Sequence, residues 1–186
     1  EFSEKKNTIM KRFITLLCCL VCIQAYAQHS FSITPERKVI WQKVYEAPIN
    51  ISEYHQWMFN SGQYHDIAMT DNTITCWLNE SPIDYQKHGY DMSMISMLVR
   101  DNNIKGFITI QFKEGRYRVT IEQIQFIHRF DSQLYRKGEI TYIEGPAINR
   151  KGVFGKMVEG NTLVVLDAVF SDVFEYKQSA HLNNEW

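Results

Sequence analysis

Histidines and carboxylates are the first residues of this 186-residue chain from which chemistry could be built. His55, His65 and His88 could meet Glu53, Asp66 or Asp84, with His128 as a further partner, in a site for a metal such as zinc, which imidazole and carboxylate suit. Their spacing prescribes no geometry, and there is no HExxH, P-loop, GxSxG, paired CxxC or dinucleotide fingerprint. No catalytic, metal-binding or cofactor-binding residue is assigned, and no cofactor is expected. A Cys76 nucleophile would need an adjacent base and access. Its alternation with Ile74 and Leu78 makes it instead a small core residue. Arg116 and Arg118 carry paired donors suited to a carboxylate or phosphate. They are expected on opposite sides of their strand, with Arg118 within cross-strand reach of Glu122 or Gln111, and so unable to act as one clamp.

The element that must position most of these residues is a hairpin over residues 104–126, turning at Glu114-Gly115. A two-residue turn sets Phe112 against Tyr117, Ile110 against Val119 and Ile108 against Ile121, all apolar. A three-residue turn would bring Ile110 opposite Arg118, so burial of one face selects the shorter turn. The other face carries Phe107, Thr109 and Gln111 against Glu122, Thr120 and Arg118, a wet surface with one aromatic. Beyond Glu122 the apolar positions change parity at Ile124 and Phe126, predicting a bulge or a strand covered on both sides.

Around the hairpin, residues 38–46 alternate as a strand. Asn50 followed by Glu53 is a capping-box arrangement for a helix from 51 to about 60, stopped at Ser61-Gly62. Residues 65–79 read as one interrupted strand or a tight pair, with Trp77 facing away from Cys76. Residues 80–103 fit neither period, and Met92, Met94, Met97 and Leu98 are expected to pack an irregular gap. Residues 131–160, with five of the nine glycines, form a long loop with a short strand near 139–143. Leu163, Leu166, Val169, Phe170, Val173 and Phe174 recur at intervals of three and four, the strongest helical pattern in the chain.

Ahead of this domain, Lys11 and Arg12 precede an apolar run ending in Ala25-Tyr26-Ala27, a secretory signal with cleavage expected after Ala27. Residues 1–9 are read as upstream of it, 28–37 as a linker and 38–186 as a single α+β domain. The apolar run is too short for a bilayer of about 30 Å, so no transmembrane segment is expected after cleavage. Three of the four cysteines leave with the signal, and Cys76 remains without a disulfide partner. Removing four basic and two acidic residues leaves 16 and 19, a net charge of −3. That balance favours neither nucleic acid nor an anionic membrane surface.

The early WQKVYE strand, the helix from Tyr54 to Trp57 and above all KEGRYRVTI at 113–121 resemble a domain-of-unknown-function family with a TATA-binding-protein-like fold, common among exported proteins of Bacteroides-type bacteria. The resemblance implies an α+β fold of β-α-β(n)-α order, an antiparallel sheet with an N-terminal and a C-terminal helix packed on one face. It implies no activity and transfers no catalytic residue. It also implies no DNA binding, because a TATA-binding domain meets DNA through basic and apolar residues and this mature chain is slightly acidic.

The functional expectation is a non-enzymatic module exported to the periplasm or cell envelope. It would bind a protein or polymer partner through the wet sheet face, at Trp77, Phe107 and Arg118, or through the glycine-rich loop. The alternative is a small hydrolase or metal-dependent enzyme of unrecognised type, which would need at least two of the four histidines within a few ångströms of a carboxylate.

Overall fold

The computed structural model describes residues 29–177; the signal expected within 1–27 lies outside them. In chain order the elements are β1 (Phe31–Ile33), β2 (Val39–Glu46), α1 (Ile51–Ser61), β3 (Tyr64–Met69), β4 (Thr73–Leu78), β5 (Ser81–Pro82), α2 (Met97–Arg100), β6 (Asn102–Lys113), β7 (Arg116–His128), β8 (Ile140–Tyr142), α3 (Glu144–Ala147) and α4 (Val164–Val173). A π turn, Val158–Leu163, leads into α4. Every strand pairing is antiparallel, in the order β1-β2-β7-β6-β4-β3, with β5 extending the pairing of β6 and β8 that of β7. The α+β class expected from the sequence is therefore the observed one.

The hairpin has the register that its apolar pairs require: Phe112 opposes Tyr117, Ile110 opposes Val119 and Ile108 opposes Ile121. Lys113 opposes Arg116, which leaves Glu114-Gly115 as the turn, and Gly115 takes a left-handed φ of 71° that a side chain would resist. The parity change further along is a bulge. From Lys105 to Phe107 the partner strand advances from Gln125 to Glu122, one residue more, and Gln123 adopts φ 52°. The extra residue rotates Ile124 and Phe126 onto the face already occupied by Ile121, so all three are fully buried.

Both long helices pack on that face. The α1 helix begins as its capping residues require: Asn50 accepts from the Glu53 N–H at 2.8 Å, and Gly62 ends it at φ 66°. Tyr54 of α1 packs on Phe112 and Tyr117, while Phe170 and Phe174 of the α4 segment pack on Trp41 of β2. The Trp41 indole N–H donates to Asp167 of α4 at 2.7 Å, and the same oxygen accepts from the Ser30 N–H at 2.9 Å.

Two expectations are corrected. Within 28–37, expected to be a linker, Phe31–Ile33 pairs with β2, and Phe31 is buried beside Phe170. Burial of the Phe31 ring and the strand pairing with β2 together offset the entropy lost in ordering these three residues. In 92–98, only Ile95 is buried and Leu98 partly so, whereas Met92, Met94 and Met97 are 54%, 62% and 67% exposed. The chain there consists of one 3-10 turn (Met92–Met94) and the single turn of α2, so Ile95 and Val99, four apart, are its anchors and the methionines project outward. No helix of the described residues is long and apolar enough to cross a membrane.

Candidate functional site

The alternation that buries Ile74, Cys76, Ile108, Ile110, Val119 and Ile121 sends their neighbours to the face opposite the helices. Because β4, β6, β7 and β2 pair in continuous register, these outward side chains line up in rows across the strands. Trp77 lies beside Phe107 and Glu122; Thr75 beside Thr109, Thr120 and Gln42; Thr73 beside Gln111, Arg118 and Val44. The Trp77 and Phe107 rings meet edge to face at 5.3 Å and 66°, with Lys105 Nζ 5.2 Å from the Trp77 ring centre. Both aromatics remain partly exposed. The three residues singled out on this face, Trp77, Phe107 and Arg118, thus share one surface.

Arg116 and Arg118 were expected on opposite sides of the strand; they share this same face. Residues two apart in a strand project together, and the fully buried Tyr117 between them projects the other way. The spacing alone carries this relationship. Arg118 donates through Nε and Nη2 to the Gln111 carboxamide oxygen, the Nε contact being 3.2 Å, so its partner is Gln111 and not Glu122. Gln111, Lys113, Arg116 and Arg118 form a two-by-two block at the hairpin end. With Val44 and Asn72 they line a concavity of about 330 Å³.

The four histidines are not assembled into one site. His65 hydrogen-bonds Asn79 through Nδ1 at 2.7 Å, with Asp66 3.8 Å from its other nitrogen. His128 is buried, bonded to Thr141 at 3.0 Å and stacked on Tyr135 at 4.0 Å. His88 lines a cleft of about 690 Å³ between α1, α4 and the segment after β4, together with Asp84. In that cleft Asp172 accepts from Lys87 at 2.6 Å and from Lys177. The bonds from the two lysines hold the Asp172 carboxyl down at about 2. His55 lies on α1, and among the described residues no three His, Cys, Asp or Glu side chains are grouped to hold a metal. Cys76 is a free, fully buried thiol pushed up to about 12 by burial, the state of an inert core cysteine.

No protein-family profile matches this chain, and no curated protein does. Among solved structures it is similar to a DUF4468 family protein from Bacteroides ovatus ATCC 8483, at 20% identity over 81% of this chain and 93% of that one, with a TM-score of 0.48. It is also similar to a TBP-like protein from Parabacteroides distasonis ATCC 8503, at 16% identity over 77% and 94%, again with a TM-score of 0.48. A family of unknown function and a TBP-like protein, both from Bacteroides-type bacteria, are thus what the chain is similar to.

Proposed function

We propose that this protein is a non-catalytic module of the cell envelope, exported by the signal read in residues 10–27, that binds a protein or polymer partner through the open face of its sheet. The observation that supports this reading is the Trp77–Phe107 pair. Two large aromatics lie side by side on a strand-paired surface, partly exposed, while both long helices are committed to the opposite face. Large rings are costly to leave in water and are frequent anchors of interfaces. Arg118, oriented by Gln111, supplies a polar contact on the same surface.

The test is crosslinking in intact cells that express the full chain with a photoreactive residue in place of Phe107, beside the same substitution at the exposed Phe59 on the helix side. The expected result is a discrete adduct from position 107 that disappears when Trp77 is also changed to Ala. Equal yields from both positions would show that the open face has no partner of its own.

A further inference from the structure

We infer that the hairpin end of the open face is an anion-binding site, and that the partner is an acidic polysaccharide whose carboxylate or sulfate groups are held there. This rests on the open-face reading and specifies its ligand.

The first argument is charge. Lys113 stands directly opposite Arg116, and Arg118 lies on the same face two residues along, so three of the four members of one block are cations. Like charges directly across a sheet are unfavourable, and an anion seated among them removes the repulsion. The fourth member, Gln111, orients Arg118 through a neutral carbonyl, which leaves the guanidinium charge uncompensated and its remaining N–H donors available. Glu46 stands across from Arg116 on β2 and Glu114 lies in the turn, both exposed. Yet none of the ion pairs among the described residues involves Lys113, Arg116 or Arg118.

The second argument concerns what can lie on this surface. Here the backbone of β6 and β7 is consumed by pairing on both sides, so a peptide cannot join as an added strand and only side chains are offered. Those side chains run from Arg118 through the row of Thr75, Thr109 and Thr120 to the aromatic pair. Four residues of strand separate Gln111 from Phe107, on the order of 13 Å. A polymer of sugar rings matches that sequence of surfaces. Its acid groups meet the arginines, its hydroxyls the threonines, and the C–H face of a ring packs on Trp77 and Phe107.

The experiment measures binding of the folded full chain to polygalacturonate, dextran sulfate, neutral dextran and duplex DNA at fixed and then rising salt. It compares the parent with R116A/R118A, W77A and K151A/K156A. The last removes the same charge from a basic loop outside the block, and thermal melts check that each variant folds. At least one acidic polysaccharide should bind, weakening about tenfold or more in R116A/R118A and little in K151A/K156A. Whichever of the two acidic polymers binds more tightly identifies the acid group. Equal losses in the two double variants, DNA binding as tight with the same arginine dependence, or no binding to either acidic polymer would each overturn the inference. Neutral dextran binding that W77A abolishes and R116A/R118A spares would overturn the anion site alone, while leaving the open-face reading in place.

Discussion

The hydroxyls of Tyr54 and Tyr117, one on α1 and one on β7, donate to a single acceptor, the carbonyl oxygen of Phe174 at the end of α4, at 2.9 and 2.8 Å. Tyr64 and Tyr45 take the carbonyls of Val173 and Ser171 at 3.2 and 3.0 Å. The last carbonyls of a helix have no partner within it. Four phenols from four other elements supply those partners here, so the end of α4 is fastened to the sheet and to α1 at once. Tyr117 also accepts from the Tyr176 N–H at 2.9 Å.

Removing either phenol alone leaves the Phe174 carbonyl one donor. Y54F should cost about 1 kcal/mol and Y117F more, because Y117F also removes the acceptor of the Tyr176 N–H. The double variant should exceed their sum by about 1–3 kcal/mol, because only then is the buried Phe174 carbonyl left without a phenol donor. Urea unfolding of the four proteins in a double-mutant cycle measures the coupling, and strict additivity would show that the shared carbonyl has another donor.

The same cluster makes the fold sensitive to alkali. Burial raises Tyr117 from its ordinary 10.0 to about 12, and it pushes Tyr45, Tyr54 and Tyr64 upward too. The unfolded chain therefore releases these protons at lower pH than the folded one. The Tyr117 contribution to stability is complete below about pH 10 and is lost as pH rises from there through about 12, and the contributions of the other three are lost at higher pH still. Melting temperatures should fall across that window as tyrosinate absorbance rises, and Y117F should show a shallower decline.

Asp167 joins the N-terminal segment, β2 and α4 through one oxygen. D167A would leave the Trp41 indole N–H without an acceptor, at a cost on the order of 2 kcal/mol. D167N keeps a carbonyl oxygen in place and should recover much of that loss. Tryptophan emission during denaturant unfolding reports both, and equal destabilisation by the two variants would assign the effect to the carboxylate charge instead.

Gly106 sits opposite the bulge, where an added Cβ would meet Ile121 Cγ2 at 2.8 Å and the Glu122 carbonyl oxygen at 3.5 Å. G106A should therefore destabilise by about 1–3 kcal/mol. G145A, which meets no heavy atom within 4 Å, serves as the matched control and should be close to neutral. Thermal melts of the two variants separate a steric requirement at Gly106 from a general effect of replacing glycine.

Local order was legible in the chain wherever a short-range rule applied. The apolar pairs of the hairpin selected its register, Asn50 and Glu53 marked the start of α1, and the three-and-four spacing from Leu163 to Phe174 marked α4. Strand period also contained the fact that Arg116 and Arg118 share a face, since residues two apart must do so. It was the expected orientation that was mistaken, and with it the reading of the block as a site.

What only the tertiary structure decided depends on residues far apart in sequence. The Tyr117 hydroxyl lies 57 residues from its acceptor, Tyr54 120 residues and Trp41 126 residues from theirs, and no periodicity links such positions. The same holds for Phe31, which becomes a core residue only because α4 returns to it, and for Met92, Met94 and Met97, whose exposure follows from which two neighbours reach the core. The sequence alone determined β2, the hairpin of β6 and β7, the cap of α1 and the buried and wet faces of that hairpin, because those follow from side-chain period and local hydrogen bonding. Folding decided which strands would lie side by side, and so set Trp77 of β4 against Phe107 of β6 and Phe31 against α4, because pairing between elements distant in sequence is encoded by no local pattern.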